Sequence, residues 1–105
     1  MIELSLERRE LLDVLRQVRA ALARPGNDFT WSSWEDAAAA TMEVDAYITT
    51  LEAGWLPPRM ELAVLFAPTG PIQEVSLQSG WSEEFLALSD RFDRAEEKVY
   101  EVRSR

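Results

Sequence analysis

The run MELAVLFAPTGPIQEVSLQ, residues 60–78, decides the fold. Read with a period of two, Leu62, Val64 and Phe66 share one face and Ala63, Leu65 and Ala67 the other. Met60–Ala67 therefore predicts a strand that is apolar on both faces. Ala67-Pro68-Thr69-Gly70 suits a reverse turn, with proline second and a glycine able to take positive φ. Val75 and Leu77 alternate with Glu74, Ser76 and Gln78, so Pro71–Leu77 predicts a second strand with one wet face. Together they read as an antiparallel β-hairpin. A two-stranded ribbon alone is marginal. It needs helices packed on it, or the hairpin of a second copy beside it in a four-stranded sheet that covers the open edge.

Helical patterns flank this run. Leu4, Leu11, Leu15, Val18 and Leu22 step by three and four, which predicts a helix over Ser5–Ala23. Ser5 caps it, and Arg24-Pro25-Gly26-Asn27 stops it. A second helix is expected over Ser33–Ala53, opened by a capping box across Ser32-Ser33-Trp34-Glu35. Its seam is Trp34, Ala37, Thr41, Val44, Ile48 and Leu51, widened by Tyr47; Gly54 and Pro57-Pro58 end it. A third is expected over Ser82–Arg103 on Phe85, Leu88, Phe92, Ala95, Val99 and Val102. Ser82 is its cap, and Trp81 and Leu86 form a hydrophobic staple. The loop Asn27–Trp34 is read as an aromatic lid over the helices. The expected architecture is one small α+β domain of order α-α-β-β-α, with three amphipathic helices packed on a hairpin. Val64, Phe66, Val75 and Leu77 join the helix seams in its core.

Charge is unevenly spread. Of the net −8, residues 1–27 contribute +1 and residues 85–105 contribute 0, so residues 28–84 hold −9. That middle segment sets ten carboxylates against a single base, Arg59, and contains all four tryptophans. Such a surface repels phosphates and anionic lipid, so neither nucleic acid nor a membrane is expected as a partner. No run of 18 apolar residues is present, and the N-terminal MIELSLERRELL lacks the apolar core of a secretory signal. A cytoplasmic bacterial protein is expected.

The chain has no cysteine and no histidine. Thiolate nucleophiles, zinc–sulfur sites, Ser–His triads and imidazole acid–base chemistry are thereby excluded. Glu35-Asp36 and Glu83-Glu84 open helices, where capping and the helix dipole account for them. Asp90, Asp93 and Glu97 lie within reach of one hard cation, but Arg91, Arg94 and Lys98 compete for them. No phosphate-cradling glycine motif occurs. The expectation is a protein that is not an enzyme, has no catalytic residue, and folds without metal or cofactor.

Trp34 and Trp81 belong to the core in this reading, while Trp31 and Trp55 are left for the surface. The leading expectation is a non-catalytic module that binds a basic protein through Trp31, Glu35, Asp36, Glu43, Asp45, Glu52 and Trp55. Glu61, Glu74, Glu83 and Glu84 would extend that surface. An immunity- or antitoxin-type inhibitor of a basic toxin is its concrete form, with carboxylates standing in for nucleic-acid phosphates. The alternative is a homodimeric structural or regulatory protein with an apolar groove for a small ligand, motivated by the two-sided strand. Glu43 and Glu52 are expected to point outward, so that reversing both charges leaves folding unchanged.

Overall fold

A computed structural model describes residues 3–101, and among them it contains five helices and no strand. These are α1 (Leu6–Leu22), α2 (Ala37–Glu52), α3 (Arg59–Leu65), α4 (Pro71–Ser79) and α5 (Ser82–Glu101). The expected α+β fold is overturned at the run that was to form the hairpin. Both of its halves are short helices, and the four-stranded dimer sheet has no strand to build on.

Burial explains the change. In α3 the buried positions are Leu62 and Leu65, with Phe66 just beyond, a spacing of three and then four. In α4 they are Ile72, Val75 and Ser76, the same spacing. Val64 is 57% exposed and Leu77 53% exposed, so two expected core residues lie outside. A helix pairs its backbone groups within itself while burying one stripe. A ribbon would leave its edges open. Pro71 takes the first turn of α4, where its missing N–H costs nothing. Gly80 closes α4 at φ 84°, and the Trp81 N–H then reaches back to Ser76 O at 3.0 Å.

The turn at Ala67–Gly70 does form, with Gly70 N–H donating to Ala67 O at 2.8 Å, but it joins two helices. Gly70 has φ −83°, so it is not there for positive φ. Space selects it instead. A Cβ at Gly70 would stand 2.5 Å from Val64 O, 3.1 Å from Ala67 O and 3.2 Å from Leu65 O. Backbone oxygens cannot swing aside, so Gly70→Ala is expected to destabilise the protein by about 1–3 kcal/mol. Urea unfolding reads this directly, and an unchanged midpoint would mean that α3 and α4 are not held this closely.

The long helices follow the sequence more closely. Ser5 caps α1, its Oγ accepting from Arg8 N at 3.2 Å. Leu11, Leu12, Val14, Leu15, Val18, Ala21 and Leu22 are all buried, an arc wider than one seam. The width has a cause: α1 lies between α2 and α5 and packs against both. Its polar residues mark the two flanks. On one side Arg8 donates to Gly54 O (3.0 Å), Arg16 pairs with Glu52 (2.6 Å) and Arg19 pairs with Asp45 (2.9 Å). On the other, Arg24 pairs with Glu84 (2.6 Å), and Asp13 with Arg91 (2.8 Å). Both neighbours therefore run antiparallel to α1. These ion pairs are about half exposed and add at most ~1 kcal/mol each; their role is register.

Two expected starts shift. α2 begins at Ala37, with Asp36 as its cap accepting from Ala39 N at 2.9 Å. The capping box over Ser32–Glu35 does not form, because Ser32 Oγ accepts from Trp34 N inside the loop instead (3.1 Å). At α5, Phe85 N–H donates to Trp81 O (3.0 Å), which puts Trp81 rather than Ser82 at the cap. Trp81 is buried but Leu86 is exposed, so the staple is absent. The rest of the α5 seam, Phe85, Leu88, Phe92, Ala95 and Val99, is buried as expected; Val102 lies outside the described residues. Tyr100 completes the packing, its hydroxyl donating to Pro57 O ahead of α3. Among the described residues no helix is long and apolar enough to cross a membrane.

Candidate functional site

The acidic segment is not one continuous face. Asp45 and Glu52, both expected at a partner surface, are taken by Arg19 and Arg16 in the α1–α2 seam. Arg24 takes Glu84 and holds its carboxyl below the usual range. Asp36 is spent on the cap of α2. Glu35 is exposed and forms no ion pair among the described residues. The two surface tryptophans are both exposed, Trp31 by 69% and Trp55 by 72%. They stand at opposite ends of α2, a helix about 24 Å long at ~1.5 Å per residue. The structure therefore does not bring Trp31 and Trp55 into one patch.

A narrower surface is assembled around Trp31. The loop that carries it is tied to the end of α4, where Asp28 N–H donates to Ser79 Oγ at 2.9 Å. Thr30 N–H donates to Asp28 Oδ1 at 2.9 Å, and this with the Thr30 side chain keeps the Asp28 carboxyl below its ordinary range. Trp31 then lines a shallow cleft of about 520 Å³ with Val64 of α3 and with Gly70, Pro71 and Glu74 at the start of α4. One turn back from Val64 on α3 is Glu61, which accepts from the Tyr47 hydroxyl at 3.2 Å. One turn back from Tyr47 on α2 is Glu43, which accepts from the buried Trp34 indole at 3.1 Å. Residues 31, 64, 61, 47 and 43, with Glu74 on the α4 side of the cleft, thus form a connected band across the loop, α3, α4 and α2.

No cation neutralises that band. Glu43, Glu61 and Glu74 make no ion pair among the described residues. Arg59, the lone base of the segment, faces the other way. It makes a bidentate pair with Glu96 (2.8 and 2.7 Å), and its guanidinium sits 5.5 Å over the Tyr100 ring. Burial, then Glu43, then Glu61 push the Tyr47 hydroxyl up to about 12, so it stays protonated and donating. The band thus offers three carboxylates, a phenol and an exposed indole. Among the described residues no group of three or more acids is placed to hold a metal ion.

Tyr47 and Val64 were missed as site residues because both were assigned to the core. The signal for Val64 was present: on a helical reading Leu62, Leu65 and Phe66 face inward, which turns Val64 out. Glu43 keeps its expected place, but its bond to Trp34 makes it a poor target for charge reversal. Glu52 is poorer still, being the partner of Arg16. No family model, curated protein or solved structure matches this chain.

Proposed function

We propose that this chain is a non-catalytic binding module that engages a basic protein through the band around Trp31. One observation carries the reading: Glu43, Glu61 and Glu74 share a surface with exposed aromatic and apolar side chains, and no base among the described residues pairs with them. Unpaired carboxylates steer a cationic surface toward the site and suppress acidic competitors. An exposed tryptophan beside an apolar cleft can anchor the complex once it has formed. Inhibition of a basic toxin in the manner of an immunity protein or antitoxin is the form of this activity we favour, and its cytoplasmic setting belongs to the same proposal.

The test begins with capture of partners from source cells at low salt, followed by association kinetics with the basic protein retained. Glu61→Lys with Glu74→Lys reverses two charges that hold no ion pair among the described residues; each lies in the first turn of its helix and Glu61 accepts from Tyr47, so folding is expected to lose about 1–2 kcal/mol, and the urea midpoint is measured beside the kinetics. Association should slow by roughly tenfold or more at low salt and lose most of its salt dependence. Trp31→Ala should act mainly by speeding dissociation. Equal association rates for wild type and the double variant at low salt would remove this face as the docking surface.

A further inference from the structure

A second groove, of about 540 Å³, runs between α3–α4 and α5 and shares no lining residue with the Trp31 cleft. Its floor is aromatic. Phe66 stacks on Phe92 with ring centroids 3.9 Å apart, and Phe85 lies 6.4 Å from Phe66. Ala63 and the exposed Leu86 form its apolar sides, and Asp93 and Glu96 stand at one end. The charges there do not balance. Glu96, its side chain only 13% exposed, is held bidentately by Arg59 from α3. Asp90, one turn before Arg94, is paired with it at 2.8 Å. α4 contributes only the uncharged Gln73. Asp93 has no ion pair among the described residues. Partial desolvation at the groove wall, then Glu96 and Asp90, push its carboxyl above the ordinary range although the residue is exposed.

We infer that this groove binds a small amphipathic amine, its protonated nitrogen on Asp93 and its apolar body along Leu86, Ala63 and Pro68, above the buried Phe66–Phe92 stack. The volume is in the range of small-molecule sites, and the wall is mixed: apolar groups lie beside Gln73, Ser89 and the Arg59–Glu96 pair, and Asp93 is the lining charge that has no ion pair among the described residues. The chemistry discriminates by charge. A carboxylate ligand would meet Asp93 and its acidic neighbours. A neutral analogue would gain the apolar contact and lose the ion pair.

The experiment is a titration of the full chain, labelled with nitrogen-15, by 2-phenylethylammonium, with 2-phenylethanol and phenylacetate as controls. Saturable shifts are expected at Ala63, Leu86 and Asp93, and the Asp93 carboxyl should titrate at lower pH when the amine is bound. Asp93→Asn, at an exposed position, should weaken the amine by up to about fivefold, which is what an exposed ion pair supplies at the upper end of its range, ~1 kcal/mol. It should leave the weak binding of 2-phenylethanol unchanged. Phenylacetate should bind more weakly than either. Equal affinity of wild type and Asp93→Asn for the amine would overturn the inference. So would shifts that map to the Trp31 cleft, the absence of saturation at about 10 mM amine, or groove shifts that follow protein concentration without amine and so report a second copy in the groove.

Discussion

Phe92→Ala is expected to lower unfolding stability by about 3–5 kcal/mol. Phe92 is buried at the middle of α5, and its ring lies almost parallel to that of Phe66, with an interplanar angle of 6°. Truncation loses the transfer energy of the ring and leaves a cavity, because Phe66 and Phe85 are fixed by their own helices. A domain of this size has about 5–15 kcal/mol in total, so the variant should unfold at a much lower urea concentration. Phe92→Leu should recover much of the loss. Leu86→Ala, on the exposed side of the same helix, should cost little, which separates packing from helix propensity. A Phe92→Ala midpoint equal to that of wild type would refute the packing of α3 on α5.

Asn27→Ala is expected to cost about 2–4 kcal/mol, although Asn27 lies in a loop. Its amide nitrogen donates to Ala21 O (2.8 Å) and Leu22 O (3.1 Å), closing the carbonyl end of α1. Its amide oxygen accepts from the indole N–H of the buried Trp81 at 2.9 Å, ahead of α5. One side chain thus joins the end of α1 to the start of α5. Removing it strands the Trp81 indole N–H and takes the side-chain donor from Leu22 O, while Ala21 O keeps the Arg24 N–H at 3.3 Å; an unsatisfied donor costs more than a made bond contributes. The mechanism has its own check: in a Trp81→Phe background, where no indole N–H remains, Asn27→Ala should cost clearly less. Strict additivity of the two substitutions would show that Asn27 acts only on α1.

Much of this was legible in the residues. Ser5 caps α1 where the serine before an apolar-periodic run predicts it, and Phe85, Leu88, Phe92, Ala95 and Val99 are buried as their spacing requires. Long amphipathic stretches carry enough turns for the 3.6 period to be unambiguous. The segregation of acids between Asp28 and Glu84 is a property of the sequence alone, and so is the absence of cysteine and histidine. The 60–78 run was not settled in the same way. Six apolar residues in a row, Leu62–Ala67, satisfy a period of two and a period of 3.6 almost equally. Pro71 at a first turn and Gly80 past a last one favoured helix, but two such marks do not outweigh a dense apolar run.

Tertiary structure decided the remainder, through two kinds of competition. Between strand and helix, packing decided: Leu62, Phe66, Ile72 and Val75 are buried along one helical stripe, with α4 packed on α5 and Phe66 stacked on Phe92, while no further strand is present among the described residues to pair a ribbon. Among the acids, the arginines of α1 and the one just past its end decided. Arg16, Arg19 and Arg24 lie far along the chain from Glu52, Asp45 and Glu84, and only the antiparallel packing of α1 brings them together. The carboxylates left unpaired around Trp31 are those that no α1 arginine reaches. The number of charges was written in the sequence; which of them remain available to a partner depended on the packing of helices distant along the chain.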